Sequence, residues 1–474
     1  MIVPPNPVQR KPAIAPIDRL AAIILFAASM LTAAHAADWS RFRGENGSGV
    51  AADSTPTPVE WSESNNLKWS VPLPGPGKSC PIVVGDRVIL TCWTGENPPD
   101  DLQRHLLCFN RNTGEQLWAK EIAPTKPDEP FREMFTENGY ASHTPTSDGE
   151  RIYAFFGLSG VVAFDMDGKE LWRESVGDGT DPNNWGTASS PILYKDLVIV
   201  TAASESTAIV ALDKKTGKEV WRQEGEGLQS TWGTPVLAAA ADGKQDLVMA
   251  VPGELWGMNP DTGKLRWYAE GSQSRNICCS AVADRDVAYV VGGRDGGSMA
   301  VRAGGKGDAR ETQMLWSNNS RGGIGTPIVA DGLLYSITGG VITCLDAKTG
   351  KQVYEKRLAA PSTPAPPSQA DRPAEVQGFG RPGEYAQGGG GGRGGGGGGF
   401  RQQDYSSPVI ADGKLYFVRR GGETYVLATG REFKQLAVNK FADDDGDFSA
   451  SPAVSDGAIF IRSSNKLYCV SQSP

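Results

Sequence analysis

Histidine is almost missing from this 474-residue chain: His35, His105 and His143 are the whole supply. That scarcity argues against histidine-built zinc sites and against a Ser-His-Asp hydrolase. A basic surplus is missing too. The formal charge is −8 at pH 7, a poor footing for holding nucleic acid or anionic lipid. No phosphate-cradling glycine loop occurs, because Gly388 to Gly399, all glycine except Arg393, is low complexity rather than a Walker loop. Cysteine is sparse and odd in number, 7 in all, so at least one thiol is left unbridged. No segment beyond Leu20 to Leu31 is apolar enough to span a membrane, and that one is short for the task.

The first segment present reads as an export signal. Arg10, Lys11 and Arg19 flank the run Leu20 to Leu31, and Ala34-His35-Ala36 is a small-x-small cleavage site. The alternative is an uncleaved N-terminal anchor. No Cys follows the apolar run, so a lipid anchor is not expected. The expected division is a signal peptide at 1–36, a lead-in at 37–66 and a single repeat domain at 67–474, an exported protein of the periplasm or cell envelope. An exported chain permits disulfides. Cys80, Cys92 and Cys108 are expected on consecutive strands, where either a cross-strand bridge or buried thiols would serve.

One pattern recurs at about 45 residues, the mark of a repeat architecture. Each copy opens with a small polar residue, Pro and an apolar step, as in Ser190-Pro191-Ile192, Thr326-Pro327-Ile328 and Ser451-Pro452-Ala453. The fifth copy has Ser280-Ala281-Val282 instead. Asp-Gly pairs such as Asp331-Gly332, Asp412-Gly413 and Asp456-Gly457 follow, and signal hairpins. A late aromatic closes each copy: Trp69, Trp118, Trp172, Trp221, Trp267 and Trp316, with Tyr354 and Phe433 at or next to the same place. Four short antiparallel strands per copy predict an all-β, eight-bladed propeller. The copy starting at Pro452 has no fourth strand, whereas Leu67 to Val71 is a fourth strand with no copy before it. The N-terminal strand is therefore expected to complete the last blade. The Trp residues are expected between neighbouring blades. Residues 359–400, rich in Pro and then Gly, read as a disordered insertion between blades six and seven.

The unit Leu212-Asp213-Lys214-Lys215-Thr216-Gly217-Lys218-Glu219-Val220-Trp221 resembles the pyrroloquinoline-quinone-like (PQQ-like) β-propeller repeat, and Leu345 to Tyr354 matches it with Tyr for Trp. The chain is similar over residues 67 to 470 to that family, which includes the outer-membrane protein assembly propeller. The lead-in Asp38 to Gly47 resembles the opening of secreted PQQ-like repeat proteins of unassigned activity. The resemblance implies one of two functions. The first is a cofactor-free, monomeric scaffold binding a protein, peptide or glycan. The second is a quinoprotein oxidoreductase that carries PQQ and calcium and acts on alcohols or sugars.

Tight turns fall on one face of such a propeller and longer loops on the other, where binding groups belong. Rim residues on the loop face include Glu137, Asn138, Asn183, Asn184, Trp185, Ser230, Thr231, Trp232, Arg275, Asn276, Asn319, Arg321, Gln403, Asp404 and Tyr405. His143 occupies the same rim slot, as a channel group or a hydrogen-bonded structural histidine. The quinoprotein reading implies PQQ held by Asn184, Trp185, Trp232, Arg275, Asn276 and Arg321 beside Cys278 and Cys279, with Glu137 or Asp404 as general base. Adjacent Cys278-Cys279 resembles the ring disulfide of alcohol-oxidising quinoproteins. The other reading of that pair is two thiols pointing to opposite faces of a strand. Asp443, Asp445 and Asp447 are the candidate calcium ligands, against a solvated acidic turn.

Overall fold

The computed structural model describes Met1 and residues 38–53, 55–132, 135–181, 183–293, 296–360 and 403–472. The expected signal peptide and nearly all of the Pro/Gly-rich insertion lie outside the described residues. Among those described, no helix is long and apolar enough to cross a membrane.

Eight antiparallel sheets succeed one another along the chain and form the blades of a propeller. Blade one is typical, with strands Ile82–Val84, Arg87–Thr94, Gln103–Asn110 and Gln116–Ile122. The eighth blade takes three strands from the end of the sequence and its fourth, Leu67–Pro72, from the beginning. Leu67 pairs with Val470 and Pro72 with Lys466. This closure leaves no open seam between first and last blade. The Asp-Gly hairpins are built on positive φ at both positions, as at Asp331 (50°) and Gly332 (73°), which suits the right-handed twist of the flanking strands.

Blades are held together at two radii. Toward the outside, Trp69, Trp118, Trp172, Trp221 and Trp316 each lie over a glycine in the next blade's turn, Thr-Gly or, for Trp118, Asp167-Gly168, and donate the indole N–H to a carbonyl there. Trp69 reaches Arg111 O (3.0 Å), Trp172 reaches Lys214 O (3.0 Å), Trp221 reaches Pro260 O (3.1 Å) and Trp316 reaches Ala347 O (2.8 Å). A Cβ at Gly217 would sit 2.6 Å from Trp172, so only glycine admits the indole. In blade six Tyr354 takes the place of Trp and packs against Phe433, which stands in the next blade's turn. Trp267 departs from the rule. Blade five lacks the Thr-Gly turn, and its connection adds Gly307–Asp308 as a parallel fifth strand on blade four. Trp267 is fully buried there and donates to Asp246 Oδ2 (2.7 Å) instead.

At the inside, the small polar residues that open the repeats form a belt. Backbone N–H groups donate to the hydroxyl of the next blade in turn: Cys80 to Thr144, Thr144 to Ser190, Ser190 to Thr234, Thr234 to Ser280, Ser280 to Thr326, Thr326 to Ser407 and Ser407 to Ser451, all at 2.8–3.0 Å. Ser451 contacts the Cys80 thiol, closing the circle. Each bond satisfies a backbone donor that a first strand would leave orphaned at the hub.

The lead-in is structural. Trp39 pairs with Val83 of blade one, and Arg41 donates to Pro235 O of blade four. Arg43, 1% exposed, donates to Gly47 O, Ser48 O, Thr326 O and Pro327 O. Asn46 exchanges two hydrogen bonds with Leu237, and Gly49 and Ala51 pair with Ile410 of blade seven. Residues 38–51 thus tie together blades on opposite sides of the ring. Burial without a carboxylate partner pushes the Arg43 guanidinium down to about 9.

The cross-strand disulfide considered for blade one is not formed. Cys80 precedes the first strand, Cys92 faces His105 and Cys108 faces Ile89 across the ladder, so no two of these thiols are partners. All three are buried and free, and burial pushes Cys92 up to about 11 and Cys108 to about 12.

Candidate functional site

The repeat that builds the belt also builds a pocket above it. Two residues before each belt position, every blade contributes one side chain to the mouth of the hub: Lys78, Ser142, Ala188, Trp232, Cys278, Ile324, Tyr405 and Ser449. The belt itself forms the lower wall, and the lead-in's Phe42 lines the cavity with it. Glu137, Asn138 and Trp185 enter from the longer loops. The cavity, partly open to solvent, has a volume of about 140 Å³.

The mouth has two unlike halves. Trp185, Trp232, Cys278 and Ile324, from blades three to six, make an apolar arc. The two indoles lie 4.9 Å apart at 31°, and Trp232 Nε1 donates to Gly186 O (2.7 Å). Blades seven, eight, one and two supply the other arc, an ion-pair network. Arg420 reaches Glu137 (2.7 Å) and Asp447 (2.9 Å), and Lys78 lies 3.6 Å from Asp447. Both cations also lie over the Tyr405 ring, Lys78 at 5.3 Å and Arg420 at 5.5 Å. Burial lowers the Lys78 ammonium against the pull of Asp447. Burial alone would raise the Asp447 carboxyl, but Lys78, Ser449 and Arg420 outweigh it and hold it low. Burial and the neighbouring Glu137 raise the Tyr405 phenol, so it stays protonated.

The residues expected in a cofactor site divide between these halves and elsewhere. Glu137, Trp185, Trp232 and Cys278 line the mouth. Asn276, Cys278 and Cys279 line an adjoining cavity of about 260 Å³ that also touches Trp185 and Ile324. Arg275, Arg321 and Asn184 are exposed and line neither cavity. Asp404 turns away to Arg419 (3.1 Å). His143 is buried, contacts Thr187 Oγ1 (3.2 Å), and is held neutral by burial with its pKa pushed down to about 3. Cys279 is packed in the core and its thiol donates a hydrogen bond to Val291 O (3.3 Å), while Cys278 faces the cavities, so the adjacent pair points two ways.

The acidic run is not a single solvated turn. Asp444 is buried and accepts from Ser463, Tyr468, Asn465 and Gly446. Asp443 pairs with Lys466 (2.5 Å), Asp447 pairs with Arg420 and Lys78, and Asp445 is exposed. The three candidate calcium ligands therefore do not converge. Among the described residues, no group of three His, Cys, Asp or Glu side chains is disposed to hold a metal ion.

Sequence reasoning missed Lys78, Ile324, Arg420 and Phe42. The first two were readable: they hold the same offset from the belt as Trp232 and Cys278.

Comparison with known proteins places this geometry. The family model described as outer membrane protein assembly factor BamB matches residues 32–178, 102–356 and 305–372. The chain belongs to that family. Among curated relatives, BamB of Yersinia pestis is 25% identical over 244 residues, 47% of this chain and 58% of the relative. A quinoprotein ethanol dehydrogenase of Pseudomonas aeruginosa is 30% identical over 160 residues, 29% of this chain and 25% of the relative. The chain thus spans about half or less of the length of the curated relatives it matches. Among solved structures, BamB from Moraxella catarrhalis has a TM-score of 0.55 at 12% identity, covering 85% of this chain and 98% of its own. A europium-containing methanol dehydrogenase has a TM-score of 0.59 at 13% identity, covering 92% and 98%. At such identities the likeness is one of fold, and a fold hosts many activities.

Proposed function

We propose that this chain is a non-catalytic binding protein of the cell envelope that holds a segment of a partner polypeptide across the mouth of the hub. The observation that carries the reading is the divided mouth. An extended peptide presents alternating side chains, so apolar groups could settle against Trp185, Trp232 and Ile324 while polar ones meet Lys78, Glu137, Arg420 and Asp447. The family is a second support, since it is described by a role in outer membrane protein assembly.

The alternative is a PQQ- and calcium-dependent quinoprotein oxidoreductase acting on alcohols or sugars, favoured by the dehydrogenase relatives. When bound, that cofactor would supply hydride-accepting redox chemistry. The residues present do not suit it. Trp185 and Trp232 pack on each other rather than leaving a slot between them, and Arg275 and Arg321 lie off the cavity. Lys78 and Arg420, the cations available to its carboxylates, are already paired. The carboxylates nearest the mouth are tied to those cations and do not gather as calcium ligands.

A fluorescent peptide library against the full chain tests the first reading. Selected sequences should lose at least about tenfold in affinity when Trp185→Ala and Trp232→Ala are combined, roughly 1.4 kcal/mol. Peptide binding unaffected by that pair would remove the mouth as the site. Tight one-to-one binding of PQQ that requires calcium, measured by calorimetry, would establish the alternative.

A further inference from the structure

A third cavity, small at about 30 Å³, lies where the loops of blades one to three meet. Its walls are Phe135, Tyr140, Phe156 and His143, and its polar groups are Arg104, Asp128, Glu129 and Glu205. Three of these carboxylates each leave one oxygen buried and without a hydrogen-bond partner: Asp128 Oδ2, Glu129 Oε2 and Glu205 Oε2. Glu205 is 3% exposed and sits on a single helical turn, Ala203–Ser206, inserted between two strands of blade three. The Asp128 side chain is 7% exposed. Orphaned carboxylate oxygens at such depth are costly unless something donates to them.

The charges do not balance. Among the described residues lining the cavity, Arg104 is the one charged base, and it is spent on Asp128 (2.6 Å), Tyr140 O (3.1 Å) and Ser159 Oγ (3.1 Å). His143 is neutral. Glu129 and Glu205 remain, with Asp181 close enough to act on both. The space thus faces several carboxylate acceptors and aromatic walls, with Arg104 already engaged.

We propose that this cavity binds an alkylammonium group, the chemistry of a lysine side chain or a free diamine. Its N–H donors suit the orphaned carboxylate oxygens along the lining, its head is small enough for the space, and its methylene stem suits the aromatic Phe135 and Phe156. The site is separate from the hub mouth and does not depend on the reading given for it. Burial, together with the nearby Glu129 and Asp181, raises Glu205 to about 7. Bringing a cation to Glu205 favours its charged form, so binding releases a proton and strengthens above neutrality. The groups facing Glu205 in this balance are Glu129, Asp181, Asp128, Arg104 and His143.

The test is calorimetry of the full chain with cadaverine and with Nα-acetyl-lysine methylamide, at about pH 8 and about pH 6, with tetramethylammonium at matched ionic strength as the control without N–H donors. The expected result is one-to-one binding at about pH 8, weaker at about pH 6, with proton release that scales with buffer ionisation heat. Glu205→Gln should lower affinity at least about tenfold. Preference for the blocked lysine points to a protein side chain, and preference for cadaverine to a free diamine. Should E205Q fail to fold, Glu129→Gln carries the same expectation. No binding at about 10 mM amine, a level that detects even very weak ligands, overturns the proposal. So does equal binding of tetramethylammonium, or an affinity unchanged in the folded variant.

Discussion

Gly217 and Gly149 make a matched pair for measuring what the Trp-over-glycine contact contributes. Both hold positive φ, 75° and 87°, in tight turns on the same face of the propeller. Alanine at either position suffers left-handed backbone strain of about 1–2 kcal/mol. The surroundings differ. A Cβ at Gly149 meets nothing within 4 Å, whereas one at Gly217 falls 2.6 Å from Trp172 Cε3 and 2.7 Å from Cδ2. The indole cannot slide aside freely, because its N–H is held by Lys214 O at 3.0 Å. Overpacking of this kind costs about 1–3 kcal/mol, and losing the hydrogen bond about 1 kcal/mol more. Gly149→Ala should therefore lose about 1 kcal/mol and Gly217→Ala about 3 kcal/mol or more, read from denaturant midpoints at unchanged slope. In a Trp172→Ala background the clash is gone, and Gly217→Ala should cost only the backbone strain. Equal losses for the two glycines in the parent chain would refute inter-blade docking as the reason glycine stands at 217.

Other expectations follow from the belt, the buried ionisable groups and the lead-in. Ser190→Ala leaves the Thr144 N–H buried and unpaired, so thermal unfolding should show a loss of about 1–3 kcal/mol, while Ser190→Thr is nearly neutral. Glu205 has a folded pKa of about 7 against an ordinary 4.5. The folded chain holds the proton more firmly, so Glu205's contribution is most favourable at low pH and is lost as pH rises through about 7. Glu205→Gln should accordingly stabilise at about pH 8, by at most about 3 kcal/mol, and change little at about pH 5, as followed by denaturant titration at both. The sign reverses for His143, pushed to about 3. Folding must hold it neutral, so stability falls as pH drops below its unfolded value, and His143→Gln should flatten that acid limb. Arg43→Met should cost about 3 kcal/mol or more in thermal unfolding, because it strips donors from four buried carbonyls.

The blade pattern was legible because a repeat states its architecture many times over. Pro, Asp-Gly and Trp each recur at fixed offsets, and the orphan strand at Leu67 could only complete the unit that ends at Val470. The belt was visible as letters but not as a circle: Ser190 and Thr326 read as residues ahead of a strand proline, and only the ring's geometry shows each hydroxyl meeting the previous blade. The lead-in was opaque, since Arg41, Arg43 and Asn46 bond backbone groups of distant blades and leave no periodic trace. Exposure defeated part of the site reading. Asn184, Arg275 and Arg321 occupy rim loops, but loop position does not say which way a side chain turns. Glu205 carried one faint signal, a lone acid in the small, apolar stretch Thr201 to Val210.

The borrowed strand sets the order in which this chain can finish. Leu67 must wait for Val470, so the last blade cannot close until the chain has been made through Val470. Joining ends separated by some 400 residues costs about 5 kcal/mol in chain entropy, from the logarithmic growth of loop closure. Until then the early strand and the unfinished eighth blade both present bare edges. A translating ribosome would therefore hold an open fan of blades, and the interval before the ends meet is when the chain most needs shielding from its neighbours.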